Sequence, residues 1–135
     1  MIPYSRQSIS EHDIEEVTKV LKAEMITQGP IGRKFELEIC AYTGCEYSVV
    51  TNSATSALHL ACLALGLGSG DIIWTSPNSY VASANVGLLC NAEVDFVDID
   101  PKTYNMCISS LDQKLQSAER NGKLPKIVMP VHYAG

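Results

Sequence analysis

Apolar residues recur along this chain with two periods, one helical and one of strands. Over residues 10–24, Ile14, Val17, Val20 and Leu21 share one helical face, while Glu15, Glu16, Lys19 and Lys22 share the other. Ser10 precedes this amphipathic helix as its cap, with Asp13 three residues on. Over 30–43, Ile31, Phe35, Ile39 and Tyr42 repeat at helical spacing; Pro30 suits the first turn and Gly44 the stop. A β-branched run at 48–51 then reads as a strand buried on both faces. It turns through Asn52-Ser53-Ala54-Thr55-Ser56 into a helix that is apolar almost all round and ends at Gly66-Leu67-Gly68.

The pattern continues in the same alternation. Residues 71–75 predict a second short strand, after which Ser79 is placed to cap a helix carrying Tyr80 in its first turn. At 92–99, Val94 and Phe96 alternate with acidic residues, as in a half-exposed strand near a sheet edge, and Asp98-Ile99-Asp100-Pro101 closes it with a turn. Ser109-Ser110 are expected to cap a polar helix whose buried line is Leu111, Leu115 and Ala118, and 126–131 predict a last strand. Strands that alternate with helices throughout, with no repeat or linker, imply an α/β fold with a mostly parallel sheet and sites at the carboxyl ends of its strands.

Composition narrows the class of partner. A chain of 135 residues, 46% hydrophobic, holds one globular domain or part of one. Its net charge of −5 argues against a nucleic-acid surface, which needs clustered Lys and Arg. The five cysteines form no C-x-x-C pair and read as free thiols of a reducing compartment. His12, His59 and His132 show no ligand spacing to one another or to the cysteines, so no metal site is expected. The start lacks a secretory pattern and no apolar run reaches the roughly 18 residues that span a bilayer, so the expected location is the cytoplasm, away from membranes.

The candidate chemistry lies in the turn at 52–56. It brings the hydroxyls of Ser53, Thr55 and Ser56 beside the unpaired N–H groups of a helix start, which carry partial positive charge and seek acceptors. Such a turn seats a phosphate readily. Asn and Ser are equally good caps in crossovers that bind nothing, and Tyr80, taken alone, is as well explained as a core or rim aromatic.

The string Asn52-Ser53-Ala54-Thr55-Ser56-Ala57-Leu58 resembles the phosphate-binding turn of the DegT-type sugar-nucleotide aminotransferases. Three more segments resemble that family in the same order: Met25-Ile26-Thr27-Gln28-Gly29-Pro30, then Thr75-Ser76-Pro77-Asn78-Ser79-Tyr80 onward to Asn85, and Pro130-Val131-His132 with Gly135. The resemblance implies the N-terminal part of the large domain of the fold type I pyridoxal-phosphate (PLP) enzymes, a three-layer α/β/α arrangement incomplete in this chain. It implies an N-terminal arm and helix over 1–30 and a partial cofactor-binding domain over 31–135. Pyridoxal 5'-phosphate would be held by Ser53, Ala54, Thr55, Tyr80 and His132, with the tyrosine stacked on the pyridine ring. Tyr4, Glu24, Met25, Ile26, Thr27 and Ala54 would line the nucleotide-sugar site. The start and the Thr27-Gln28-Gly29-Pro30 segment look most like the branch that aminates the C4 ketone of UDP-4-keto-6-deoxy-N-acetylhexosamines, on the way to pseudaminic-acid-type sugars, with L-glutamate as donor and a homodimer as the working assembly.

In relatives the aspartate that pairs with the pyridine nitrogen and the lysine that binds the cofactor covalently lie downstream of the segment that ends here at Gly135. Lys102, Lys114, Lys123 and Lys126 sit in loops, a surface helix and a strand start, so this polypeptide is expected not to transaminate alone. An incomplete sheet is expected to leave Val49, Val50, Ile72, Ile73, Ile127 and Val128 only partly covered. A phosphate-ligand-binding α/β module without catalysis, and a PLP-dependent sugar dehydratase of the same fold, would share every motif present.

Overall fold

Side chains on a strand point alternately to its two faces, and that alternation decides the architecture of the larger part of this chain. The computed structural model describes residues 5–133, in the order α1 (Glu11–Leu21), α2 (Pro30–Thr43), α3 (Ala54–Ala64), β1 (Ile72–Thr75), α4 (Ala82–Leu89), β2 (Glu93–Phe96), α5 (Ile108–Arg120) and β3 (Ile127–Met129). These elements fall into two compact units, divided between Val50 and Thr51.

In the second unit β1 pairs in parallel with β2 on one side and β3 on the other. Ile73 is fully buried on one face of β1, in a core that Leu58 and Cys62 of α3, Val86 and Cys90 near α4, and Val94, Ile127 and Met129 of the flanking strands complete. Trp74 is buried on the other face with Val97, Met106 and Ala118, against which Ile72, Leu111, Leu115 and Val128 pack. The result is α3 and α4 on one side of a parallel sheet and α5 on the other. Three layers of this kind require consecutive apolar residues in the middle strand, which Ile72-Ile73-Trp74 supply. At the strand's end the buried Thr75 hydroxyl donates to the Met129 carbonyl at 3.0 Å.

Gly87 sets how closely α4 approaches the sheet. A methyl group at this position would lie 2.5 Å from Ile73 Cγ2 and 2.7 Å from Val94 Cγ2. On the sheet's far edge the Lys126 ammonium donates to the Gly66 carbonyl at 2.6 Å and to Asp71 at 2.9 Å, which ties the approach to β1 to the start of β3 and holds the Asp71 carboxyl below its ordinary value.

In the first unit, α1 begins with the predicted reciprocal cap. The Ser10 N–H and hydroxyl donate to Asp13 Oδ2 at 2.7 and 2.8 Å, and the Asp13 N–H donates to Ser10 Oγ at 3.3 Å. Pro30 opens α2, and Gly44 stops it with φ 77° and a bond from its N–H to the Cys40 carbonyl.

Four expectations need correction. Residues 48–51 form no strand, and Val49 is 75% exposed; β-branched side chains favour an extended backbone, but a strand also needs a partner, and among the described residues β1, β2 and β3 pair only with one another. Tyr80 precedes α4 rather than lying in its first turn; Val81 is the capping residue, and the Ser79 hydroxyl pairs with that of Ser83 at 3.1 Å instead of capping. Helix α5 starts two residues earlier than Ser110, with Cys107 at its cap and the Cys107 thiol 3.2 Å from the Ser109 hydroxyl, which draws that thiol down to about 7. Of the six apolar residues expected to be partly covered, Ile73 is fully buried, because α3 and α4 close over it. Among the described residues no helix is long and apolar enough to cross a membrane.

Two predictions follow from these contacts. In a free helix Gly87→Ala would gain about 1 kcal/mol, but here overpacking against Ile73 and Val94 costs more, about 1–3 kcal/mol, so urea denaturation should show a net loss of stability. The Ser10 amide and hydroxyl hold the Asp13 carboxyl below its ordinary value. A carboxylate lowered in the folded state stabilises α1 above its unfolded titration range and stops doing so as pH falls through the lower folded value. Helical Cα chemical shifts in residues 11–13 should collapse on acidification through that value, and Ser10→Ala should diminish them at neutral pH already.

Candidate functional site

Helix α3 begins at the carboxyl side of an extended segment, and its cap consumes most of the local hydroxyls. Ser53 caps it with an extended backbone, its Oγ accepting from the Ser56 N–H at 3.2 Å. The Ser56 hydroxyl donates to Asn52 Oδ1 at 2.7 Å and lies 3.0 Å from Ser53 Oγ. Since the single Ser56 proton goes to Asn52, the Ser53 proton must go to Ser56. Both serine hydroxyls are therefore spent inside the turn. The Thr51 hydroxyl, likewise, donates to the Ser53 carbonyl at 2.9 Å.

What remains open to a ligand is the backbone. Ala54 and Thr55 occupy the first two helical positions, whose N–H groups have no carbonyl one turn earlier to bond. The Thr55 side chain stands with them. An anion here meets two amides, the positive end of α3 and one threonine side chain.

Thr55 and Tyr80 line one open groove of about 510 Å³, together with Val81, Ala82, Asn85, Leu88 and Leu89. Tyr80 is 77% exposed, so its ring is available to a flat partner. Thus the helix start and the aromatic, distant in sequence, share a cavity large enough for a phosphorylated aromatic ring. Asn85, Leu88 and Leu89 were not singled out by sequence as site residues. The signal was present, since 81, 85, 88 and 89 recur at the spacing of one helical face, the face turned to the groove.

One buried polar group lies at the carboxyl end of β1, outside the residues that line the groove. Ser76 is 97% buried and its Oγ has no hydrogen-bond partner among the described residues. Buried hydroxyls rarely stay unpaired in a finished site.

The other residues expected at the site stand as follows. Ser53 and Ala54 lie on the helix start with Thr55. His132 is exposed beyond β3 and is not among the groove's lining residues; the next residue is fixed by a bond from the Tyr133 N–H to Asn105 Oδ1 at 2.9 Å and by the Tyr104 ring 5.7 Å away. Glu24, Met25, Ile26 and Thr27 form the exposed turn between α1 and α2 in the first unit. Tyr4 lies outside the described residues. The acidic pair at 98 and 100 serves the chain, as expected: Asp100 Oδ1 accepts from the Lys102 and Thr103 N–H groups at 2.8 and 3.0 Å, and these donors hold its carboxyl low.

The lysines bear on chemistry as well. Lys114 donates to the Phe96 carbonyl at 2.5 Å and to Asp95 at 2.7 Å, and lies 4.9 Å from the centre of the Trp74 ring; Lys126 is bound to Gly66 and Asp71. Neither lysine lines the groove, nor do Lys102 and Lys123.

Known proteins share this fold. Residues 7–135 match the family model described as the DegT/DnrJ/EryC1/StrS aminotransferase family. A UDP-4-amino-4,6-dideoxy-N-acetyl-beta-L-altrosamine transaminase of Campylobacter jejuni is 46% identical over 99 residues, 73% of this chain and 26% of that protein. The structure resembles that of Helicobacter pylori PseC, an aminotransferase of pseudoaminic acid biosynthesis, with a TM-score of 0.87 and 30% identity over 98% of this chain and 34% of that one. It also resembles a Streptococcus pneumoniae protein described as a sugar aminotransferase in its PLP form, with a TM-score of 0.78 and 36% identity over 83% of this chain and 29% of that one. The chain spans about a quarter of the length of the curated relative and about a third of the solved structures. With the match running almost from end to end, this chain belongs to the DegT/DnrJ/EryC1/StrS aminotransferase family.

Proposed function

We propose that this chain forms the cofactor-phosphate and ring-stacking part of a PLP-dependent sugar-nucleotide aminotransferase. The observation that carries the reading is the groove shared by Thr55, at the open start of α3, and Tyr80. The residues present fit the cofactor. Two free amides and a threonine would meet a phosphate, and an exposed tyrosine face would meet a pyridine ring.

Bound, the cofactor supplies the electron sink through which an amino group passes from L-glutamate to a ketone. The chain's own residues bind and orient. Ala54 and Thr55 would hold the phosphate end, Tyr80 would stack on the ring, and Leu88 and Leu89 would give the groove an apolar wall. With the helix start and the aromatic both on the groove, these residues would orient the cofactor for the chemistry it supplies.

The acceptor we assign is the C4 ketone of a UDP-4-keto-6-deoxy-N-acetylhexosamine, from the likeness to the Campylobacter jejuni transaminase and to PseC, and Glu24, Met25, Ile26 and Thr27 are assigned as nucleotide-sugar contacts from the resemblance of their segment to the family. Covalent attachment of the cofactor is assigned to a lysine outside this chain, because Lys114 and Lys126 are already paired and neither faces the groove. The complete enzyme is taken to be a cytoplasmic homodimer.

Two measurements test this reading. Equilibrium dialysis with pyridoxamine phosphate, which lacks the aldehyde and does not react with surface amines, should show binding to this chain. Thr55→Ala and Tyr80→Ala should each weaken it about tenfold, the worth of a hydrogen bond to a charged group or a stacked ring of about 1.4 kcal/mol; equal binding by both variants removes the site. In the complete protein, conversion of glutamate to 2-oxoglutarate beyond one equivalent per bound cofactor should require the UDP-4-keto sugar, and the 135-residue chain alone should convert none. Sugar dehydration without glutamate turnover would select the dehydratase instead.

A further inference from the structure

The outer edge of β2 is occupied by two of the chain's own side chains. The Glu93 N–H donates to the Asp71 carbonyl and the Val97 N–H to the Thr75 carbonyl, both at 2.9 Å, so alternate residues of this stretch turn their main-chain groups toward β1. Val94 and Phe96 turn theirs the other way, where among the described residues no strand pairs with β2. A row of such outward groups is a template on which another chain can add a strand. The template is inviting here, because Phe96 is 45% exposed and a cavity of about 350 Å³, lined in part by Ile72 and Trp74, opens beside the strand.

At Phe96 both outward groups are already taken. Its N–H donates to Asp95 Oδ1 at 2.8 Å, and its carbonyl accepts from the Lys114 ammonium at 2.5 Å. Lys114 also donates to Asp95 Oδ2 at 2.7 Å, so the acid and the base hold each other against the strand. Lys114 first, and the Phe96 N–H after it, keep the Asp95 carboxyl below its ordinary value, hence charged at neutral pH. The lysine reaches this place from α5 with its ammonium 4.9 Å from the centre of the Trp74 ring, and its side chain is only 27% exposed.

We propose that Asp95 and Lys114 are an edge guard, which keeps β2 of a second copy of this chain from pairing with β2 of the first. The strand has four residues and two of them face outward, so closing one removes half of the template. An incoming strand would have to break the bonds at the Phe96 N–H and carbonyl and the ion pair between the two guards. It would then leave a carboxylate and an ammonium without their partners beside the new strand, a cost that pairing at Val94 alone does not offset.

Sedimentation of the chain at matched concentrations tests the guard. Asp95→Ala combined with Lys114→Met, which keeps an apolar stem over Trp74, should sediment at about twice the wild-type mass, as an isologous β2–β2 pair would. Adding Phe96→Pro deletes the outward N–H at a place where a strand edge accepts proline, and it should restore the wild-type mass. A double variant that keeps the wild-type mass overturns the guard. So does association that survives Phe96→Pro, which is the behaviour expected of a double variant that clumps because it no longer folds.

Discussion

Burial of β1 on both faces is the constraint on which the second unit depends. A strand sandwiched between helices cannot alternate polar with apolar residues, so Ile73 and Trp74 are each turned into a different core. The side that takes Ile73 recruits α3 and α4, and the side that takes Trp74 recruits α5. Once those helices are placed, the carboxyl end of β1 delivers residues 76–80 beside the start of α3, and the groove exists. The groove's shape is thus a by-product of packing. Its walls belong to α3 and α4, both anchored in the core around Ile73.

Much of this order was legible in the sequence, and the exceptions have physical causes. The helices at 11–21 and 30–43 carried both periodicity and end signals, so cap, stop and apolar stripe agreed. The strand expected at 48–51 rested on side-chain preference alone, whereas pairing is a property of two segments and is not written in one. Cys107 took the cap expected of Ser109 because cap identity depends on backbone angle at one residue; its extended backbone opens the helix with no side-chain cap bond. The role of Gly87 was invisible, since a glycine that permits close approach looks in sequence like any other interior glycine; only the two side chains beneath it show the need.

The site was legible as a motif and less so as a division of labour. Three hydroxyls in the turn at 52–56 looked interchangeable as phosphate donors. Proton counting along Ser53, Ser56 and Asn52 separates them: two maintain the turn and Thr55 alone faces the groove. Likewise Tyr80 was identified by its place in the string, but its exposure and its neighbours Asn85 and Leu88 come from α4 lying where the glycine lets it lie. Lysine chemistry follows the same lesson. Lys114 is the most embedded of the ammonium groups considered, and it is a strut between α5 and β2, not a reagent.

The relay from Ser53 through Ser56 to Asn52 has a consequence for how a guest is received. Because those protons already run in one direction, the turn is stiff before any anion arrives, and the disorder that a floppy loop would surrender on docking was given up when the chain folded. Association at this point should then be governed by how much water the guest and the two amides shed, rather than by loop closure. A replacement that slackens the relay, such as one at Asn52, would act from outside the contact surface, loosening the grip without removing a single touching atom.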